Sequence, residues 1–190
     1  MAPLSGEPKE PVIPQVFTEA VESMHAAVLR PEISISTIRP PQKLAPFSHA
    51  IGLEVDRESL DIVPVDAEGD AFGRLILLFD PHGEEPWDSK MRLVAYIQAD
   101  LEASMALDPM LSEVAWEWLT EGLTAAEAEY EDLGGTVTAT HSQRFGAMDG
   151  PSNSYQLELR ASWTAGDHDL SDHVRAFSET LAHIAGLPTE

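Results

Sequence analysis

The sequence lacks cysteine, has few cations and contains no long apolar run. Its 190 residues include no Cys, which excludes disulfides, thiolate zinc sites and cysteine nucleophiles and fits a reducing compartment. The longest purely apolar run, LILLF from Leu75 to Phe79, is far too short for a membrane-spanning helix. The opening MAPLSGEPKEP has neither the basic nor the apolar segment of a secretory signal. We therefore expect a cytoplasmic protein without a membrane anchor.

Positive charge is scarce, because 11 Lys and Arg stand against 33 Asp and Glu, for a formal net charge of −22. Between Arg92 and Arg144 the sequence has ten acids and no Lys or Arg. Contacts with phosphate need cations, so direct binding to nucleic acid or to anionic lipid is disfavoured. The acid excess fits solubility alone, a basic protein partner, or mimicry of nucleic-acid charge.

Familiar catalytic motifs are also missing. The sequence has no G-x-S-x-G elbow, P-loop, G-x-G-x-x-G fingerprint or H-E-x-x-H zinc motif. The segment DHDLSDH, Asp167 to His173, is nearest to a metal site, since Asp169 and His173 stand four residues apart. A helix start explains it better, with Asp169 as the N-cap and Asp172 in the first turn. We predict no metal, no cofactor and no catalytic residue.

What the sequence does contain is clear apolar periodicity. A first helix is predicted from Pro14 to Arg30-Pro31, with an apolar face formed by Phe17, Val21, Met24 and Val28. Four strands follow, in EISISTI, FSHAIGLEV, FGRLILLF and MRLVAYIQA. A second helix is predicted from Glu113 to Glu131, ended by Gly134-Gly135. Two more strands, in TVTATHSQRF and SYQLELRASW, precede a last helix that ends at Gly186.

This order, α-β-β-β-β-α-β-β-α, is dominated by hairpins. It predicts an α+β fold, a mostly antiparallel sheet of about six strands with three main helices packed on one face. In SYQLELRASW every second residue is apolar or aromatic, so Trp163 is predicted to lie in the core. The proline-rich residues 1–13 are predicted to be a flexible N-terminal tail, and residues 14–188 a single domain.

The segment VAWEWLTEGL places two tryptophans two residues apart on the predicted second helix. The buried stripe of that helix is predicted to consist of Leu119, Leu123, Ala126 and Tyr130. Trp116 falls near this stripe and is predicted to be core, whereas Trp118 falls on its flank. Trp118 is then either rim packing or a contact for a partner. Trp87, in the acidic loop DPHGEEPWDSK, is either a folded-back anchor or a contact for a ligand or partner.

The opposite face of the predicted second helix is acidic, with Glu113, Glu117, Glu121, Glu127 and Glu131 on or near one line. No Lys or Arg on the helix pairs with them, and like charges four residues apart cost roughly 0.2 to 0.5 kcal/mol each. We predict that Glu117 and Glu121 point into solvent. Together with Trp87 and Trp118 they are the candidate contacts for a protein partner with a basic surface. The alternative is a face that is merely solvated.

Several segments together resemble the actinobacterial DUF3000 family of proteins of unknown function. They are LRPE, PPQKLAP, RLILLFDP, MRLVAYIQADLE, DPMLSEVAWEWLTEGL, GGTVT, RASWT and AGLP, in order from about Phe17 to Pro188. Eight of the eleven basic residues are Arg, a bias that agrees with an actinobacterial source. The resemblance implies no activity, catalytic residue or cofactor.

These observations favour a non-catalytic adaptor or regulatory domain, which binds another protein, over an enzyme. The alternative is a small-molecule binding protein or enzyme whose pocket lies between sheet and helices and is lined by aromatics such as Trp116, Tyr155 and Trp163. The third reading is a nucleic-acid-mimicking acidic protein. It requires the acids to form a regular, phosphate-like row.

Overall fold

The computed structural model describes residues 11–56, 71–84 and 89–189, with the backbone alone described for residues 84, 89 and 90. The elements run in the order α1 (Gln15–Ala26), β1 (Ile33–Ile38), β2 (Phe47–Val55), β3 (Ala71–Glu84), β4 (Ser89–Leu101), α2 (Ala103–Ala106), α3 (Leu111–Ala125), β5 (Tyr130–Gln143), β6 (Asn153–Ala165) and α4 (Ser171–Ile184). The predicted α+β class and element order are confirmed, with α2 as one additional short helix. None of the helices in these ranges is long and apolar enough to cross a membrane.

The six strands form one antiparallel sheet in the order β1-β2-β3-β4-β6-β5. Strands β1 to β4 are joined as successive neighbours, and the chain then passes through α2 and α3 to the far edge before β6 returns between β4 and β5. Apolar residues stand opposite one another across the three central strands, as in the row Leu77, Leu93 and Trp163. Because side chains alternate along a strand, all of these residues face the same side of the sheet.

The helices pack on that apolar side. Phe17 of α1 stacks on Phe79 of β3 with ring centroids 5.9 Å apart. Phe177 of α4 lies so close to β3 that a Cβ atom at Gly73 would be 2.7 Å from its ring. Glycine therefore allows the close approach of α4 to the sheet. Trp163 and Phe177 are both fully buried in the resulting core.

The first helix ends earlier than its periodicity predicts. Helix α1 stops at Ala26, and Val28, predicted to lie on its apolar face, is 85% exposed. The chain leaves the helix because Ala27 is extended, with ψ of 130°. This extension brings Arg30 into the protein, where it bonds to Glu32 and to the carbonyl oxygen of Pro188.

The predicted helix from Glu113 to Glu131 is also too long. Helix α3 ends at Ala125, and Glu127 follows in the left-handed region with φ of 58°. The amide of Ala128 donates to the Leu123 carbonyl and the amide of Glu127 to that of Thr124, at 3.0 and 3.1 Å. These two bonds form a Schellman motif, which usually carries glycine where Glu127 stands. The predicted helix is therefore wrong for the residues after Glu127, because Tyr130 begins β5 and Gly134-Gly135 lies within that strand.

Candidate functional site

The outer surface of α3 carries a row of glutamates. Glu113, Glu117 and Glu121 are exposed and lie one helical turn apart. In the part of the chain that the structure describes, none of them forms an ion pair. Glu127 and Glu131 are exposed too, but they follow the end of the helix and leave the row. The row therefore contains three glutamates.

Trp118 lies beside this row and is partly buried. Its ring stacks on His183 of α4, with centroids 5.5 Å apart and an angle of 19° between the planes. We call Glu113, Glu117, Trp118 and Glu121 together the acidic α3 surface. Among the residues proposed from the sequence as partner contacts, the structure brings together Glu117, Trp118 and Glu121. Trp87 lies outside the described residues.

Trp116 flanks the glutamate row on the side opposite to Trp118 and is also partly buried. A Cβ atom at Gly135 of β5 would be 2.9 Å from its ring and would overlap the carbonyl oxygen of Arg160. Trp116 thus packs flat against the backbone of β5, which needs glycine at that point. The ring fixes how α3 lies on the edge of the sheet.

The segment DHDLSDH forms the start of α4, one residue later than predicted. The helix begins at Ser171, and Asp169 accepts hydrogen bonds from the Ser171 amide at 3.1 Å and from its hydroxyl at 2.6 Å. These bonds lower the pKa of the Asp169 carboxyl. Asp172 lies in the first turn and pairs with Arg175 at 2.9 Å. The described residues contain no group of three or more His, Cys, Asp or Glu arranged to hold a metal ion.

His173, the other residue considered as a metal ligand, is buried and hydrogen-bonded. Its Nδ1 accepts the indole N–H of Trp163 at 3.0 Å, so the neutral ring carries its proton on Nε2. Burial lowers the pKa of His173 to about 4, although the carboxylates of Asp172, Asp169 and Asp167 act in the opposite direction. His173 is therefore neutral at pH 7 and joins α4 to β6.

The aromatic residues proposed as the lining of a pocket between sheet and helices have other roles. Trp163 is fully buried, Trp116 packs on β5, and Tyr155 stacks on His141 with centroids 4.6 Å apart. None of the three lines the two depressions described below. The smaller depression, about 270 Å³, lies near the end of α4 and is lined by Arg30, Glu179, His183, Leu187, Pro188 and Thr189.

The face of the sheet turned away from the helices, which we call the open face, is rich in arginine and aromatic residues. Arg74 lies over the ring of Phe72 and Arg160 over the ring of Tyr96, at 5.4 and 5.3 Å. Arg160 also donates to Glu158 at 2.7 Å, which lowers the pKa of that carboxyl. The Tyr96 hydroxyl donates to the other oxygen of Glu158 at 3.0 Å. Partial burial is the main cause that raises the pKa of the Tyr96 hydroxyl.

Arg92, on the open face of β4, forms hydrogen bonds with two other strands of the sheet. It donates to the hydroxyls of Thr164 and Ser162 at 3.0 and 2.9 Å, and to the carbonyl oxygen of Asp132 at 3.0 Å. These bonds cross from β4 to β6 and on to the bulge in β5. These hydrogen bonds of Arg92 are therefore all made to residues of the sheet.

The larger depression lies on the open face near β1, β2 and β3. Its volume is about 470 Å³, and it is lined by Ile38, Arg39, Pro41, Ala50, Arg74 and Ile76. Sequence reasoning did not find it, because its two arginines come from separate parts of the chain. Arg39 follows β1, and Arg74 lies near the start of β3 with its side chain exposed.

Comparisons with known proteins give one match. A family model described as "Protein of unknown function (DUF3000)" matches residues 13–190, a range that includes every helix and strand given above. No curated protein and no solved structure matches the chain.

Proposed function

The chain belongs to the DUF3000 family, and we propose that it is a non-catalytic adaptor or regulatory domain that binds another protein. One observation carries the proposal, which is the acidic α3 surface with its three unpaired glutamates beside a partly buried tryptophan. The glutamates extend over about 12 Å of helix. A row of this length matches the scale of a single helix or strand on a partner.

The chemistry of this surface favours a partner with a basic surface. Exposed like charges attract oppositely charged proteins over long range and raise the rate of association at low salt. Trp118 adds apolar contact area beside the row, and tryptophan is enriched among the residues that dominate binding energy at interfaces. Its stacking on His183 holds the ring in place before a partner arrives.

Affinity purification from the native cell, with quantitative mass spectrometry, tests the proposal when three baits are compared. They are the wild type, Glu117→Gln/Glu121→Gln, and the control Glu127→Gln/Glu131→Gln, which removes the same charge from exposed positions beyond α3. We expect a partner to be captured by the wild type and the control but not by the α3 variant.

The same three proteins must first be shown to fold alike. We expect the α3 variant to melt at an unchanged or slightly higher temperature, because repulsion of roughly 0.2 to 0.5 kcal/mol per pair is relieved. Clear destabilisation would refute the solvated glutamate row. Equal capture by all three baits, or equal loss from both variants, would refute the role of the acidic α3 surface.

Small-molecule binding is the second candidate, and the depression beside Arg39 and Arg74 favours it. Its position differs from the pocket expected between sheet and helices. Nucleic-acid mimicry has less support, because Glu127 and Glu131 leave the helix and the row is reduced to three acids. A competition assay with a nucleic-acid-binding partner would restore that reading if the protein displaced the nucleic acid.

The proposal includes a cytoplasmic location and an actinobacterial source. The absence of cysteine supports the first, and the preference for Arg over Lys supports the second. Fractionation of the native cell, followed by immunodetection, tests the location, and recovery in a membrane or secreted fraction would contradict it.

A further inference from the structure

The arginines of this protein fall into two groups, according to whether their guanidinium groups form hydrogen bonds with other residues of the protein. The described ranges contain seven, and five of these donate hydrogen bonds to other residues, namely Arg30, Arg92, Arg144, Arg160 and Arg175. Within the described residues, Arg39 and Arg74 make neither a hydrogen bond nor an ion pair. Both of these arginines line the larger depression on the open face.

Two unpaired guanidinium groups at one site are unexpected in a chain with 33 acidic residues and 11 Lys and Arg. Among the described residues, Glu54 on the neighbouring strand β2 forms no ion pair with Arg74, and Glu158 on β6 is bound by Arg160. The positions of the two arginines thus leave ten N–H donors available to a bound anion.

The rest of the depression is apolar. Ile38, Pro41, Ala50 and Ile76 form its wall, and its volume of about 470 Å³ lies in the usual range for small-molecule sites. The guanidinium of Arg74 lies over the ring of Phe72, and this contact limits the number of positions that the guanidinium adopts. The site therefore combines a fixed cationic group, a second cation and a hydrophobic surface.

We propose that this depression binds a small organic carboxylate with a compact apolar body. The planar guanidinium fork matches a carboxylate, with which it forms two parallel hydrogen bonds. The apolar wall takes the body of the ligand. The net charge of −22 repels polyanions strongly, which favours a singly charged ligand over a polyphosphate or a nucleic acid.

The site lies on the opposite layer from the acidic α3 surface and does not depend on it. Loss of binding at one of these two sites therefore leaves binding at the other testable. The probe for the experiment is 3-phenylpropionate, which carries one carboxylate and one phenyl ring. The matched probes are its neutral amide, 3-phenylpropanamide, and two anions without an apolar body, acetate and inorganic phosphate.

Binding is measured on the full chain by amide chemical-shift perturbation and by calorimetry. We expect 3-phenylpropionate to shift signals of residues around Ala50 and Ile76, with a dissociation constant on the order of 1 mM for a ligand of this size. Arg39→Gln and Arg74→Gln should each weaken binding roughly tenfold, which is typical for the loss of a charged hydrogen bond. Arg74→Lys, which keeps the charge without the fork, should weaken it less.

Arg144→Gln is the matched control, because it removes one partly exposed arginine from the hairpin between β5 and β6 and leaves the depression intact. We expect it to bind like the wild type. Equal binding of the neutral amide, or equal weakening by Arg144→Gln, would overturn the proposal. So would equal binding of acetate and phosphate, and so would the absence of any shift with 3-phenylpropionate. Melting curves show that each variant is folded.

Discussion

At the scale of single residues, Trp163 of β6 contacts α4 through its indole N–H, which donates to Nδ1 of His173 at 3.0 Å. The alternation in SYQLELRASW predicts that its ring lies in the core, and it is fully buried. Its hydrogen bond to His173 is a different matter, because His173 belongs to α4 and the pairing depends on how that helix lies on the sheet. A period-two pattern identifies the face of a strand but not the partner that covers it.

We predict that Trp163→Ala lowers the free energy of unfolding by about 3 to 5 kcal/mol, the usual range for deletion of a buried large aromatic side chain. The change also leaves Nδ1 of His173 without its donor. Denaturant titration measures the loss. A loss below about 1 kcal/mol would mean that the ring is not part of the core.

We also predict a pH dependence that arises from His173. Its pKa is lowered from 6.5 to about 4 in the folded protein, so between these values the unfolded chain binds more protons than the folded one. The stabilising contribution is fully present above pH 6.5 and is lost as the pH falls towards 4. The loss amounts to about 3 kcal/mol.

Comparison with His173→Gln isolates this contribution, because the variant keeps an acceptor for Trp163 but does not titrate. The difference in unfolding free energy between wild type and variant should shrink or change sign as the pH falls from 7 to 4. If both proteins lose stability in parallel over this range, His173 does not carry the effect.

At the scale of elements, the apolar periodicity predicts the helices and strands, but it places the ends of the first two main helices too late. The Gly134-Gly135 pair predicts the end of the second helix, since glycine is the usual residue there. Instead Glu127 occupies the left-handed position, and the two glycines serve β5. The reason is tertiary, because only the packed structure shows that Trp116 covers Gly135.

The two neighbouring glycines give a matched pair of variants. A Cβ atom at Gly135 would meet the Trp116 ring and the Arg160 carbonyl oxygen, whereas a Cβ atom at Gly134 would have no neighbour within 4 Å. We predict that Gly135→Ala lowers stability by about 1 to 3 kcal/mol, because overpacking forces α3 and β5 apart. Gly134→Ala should change it by less than about 0.5 kcal/mol. Similar melting temperatures for the two variants would contradict this packing.

At the scale of the whole molecule, the two layers present different charged groups on their outer surfaces. The helical layer displays the acidic α3 surface, and the open face of the sheet carries Arg74, Arg92 and Arg160. The sequence predicts the sheet, the helices and the exposure of Glu117 and Glu121. It does not predict the convergence of Arg39 and Arg74, because the register of β1, β2 and β3 brings them together across 35 residues of chain.

The central claim is that the acidic α3 surface binds a protein partner, and the association rate constant of that partner at low and high salt tests it most directly. We predict that the rate for wild type and for Glu127→Gln/Glu131→Gln falls steeply as salt rises, because screening weakens electrostatic steering. Glu117→Gln/Glu121→Gln should associate more slowly at low salt and approach the wild-type rate at high salt. Identical rates for all three proteins at every salt concentration would contradict the claim.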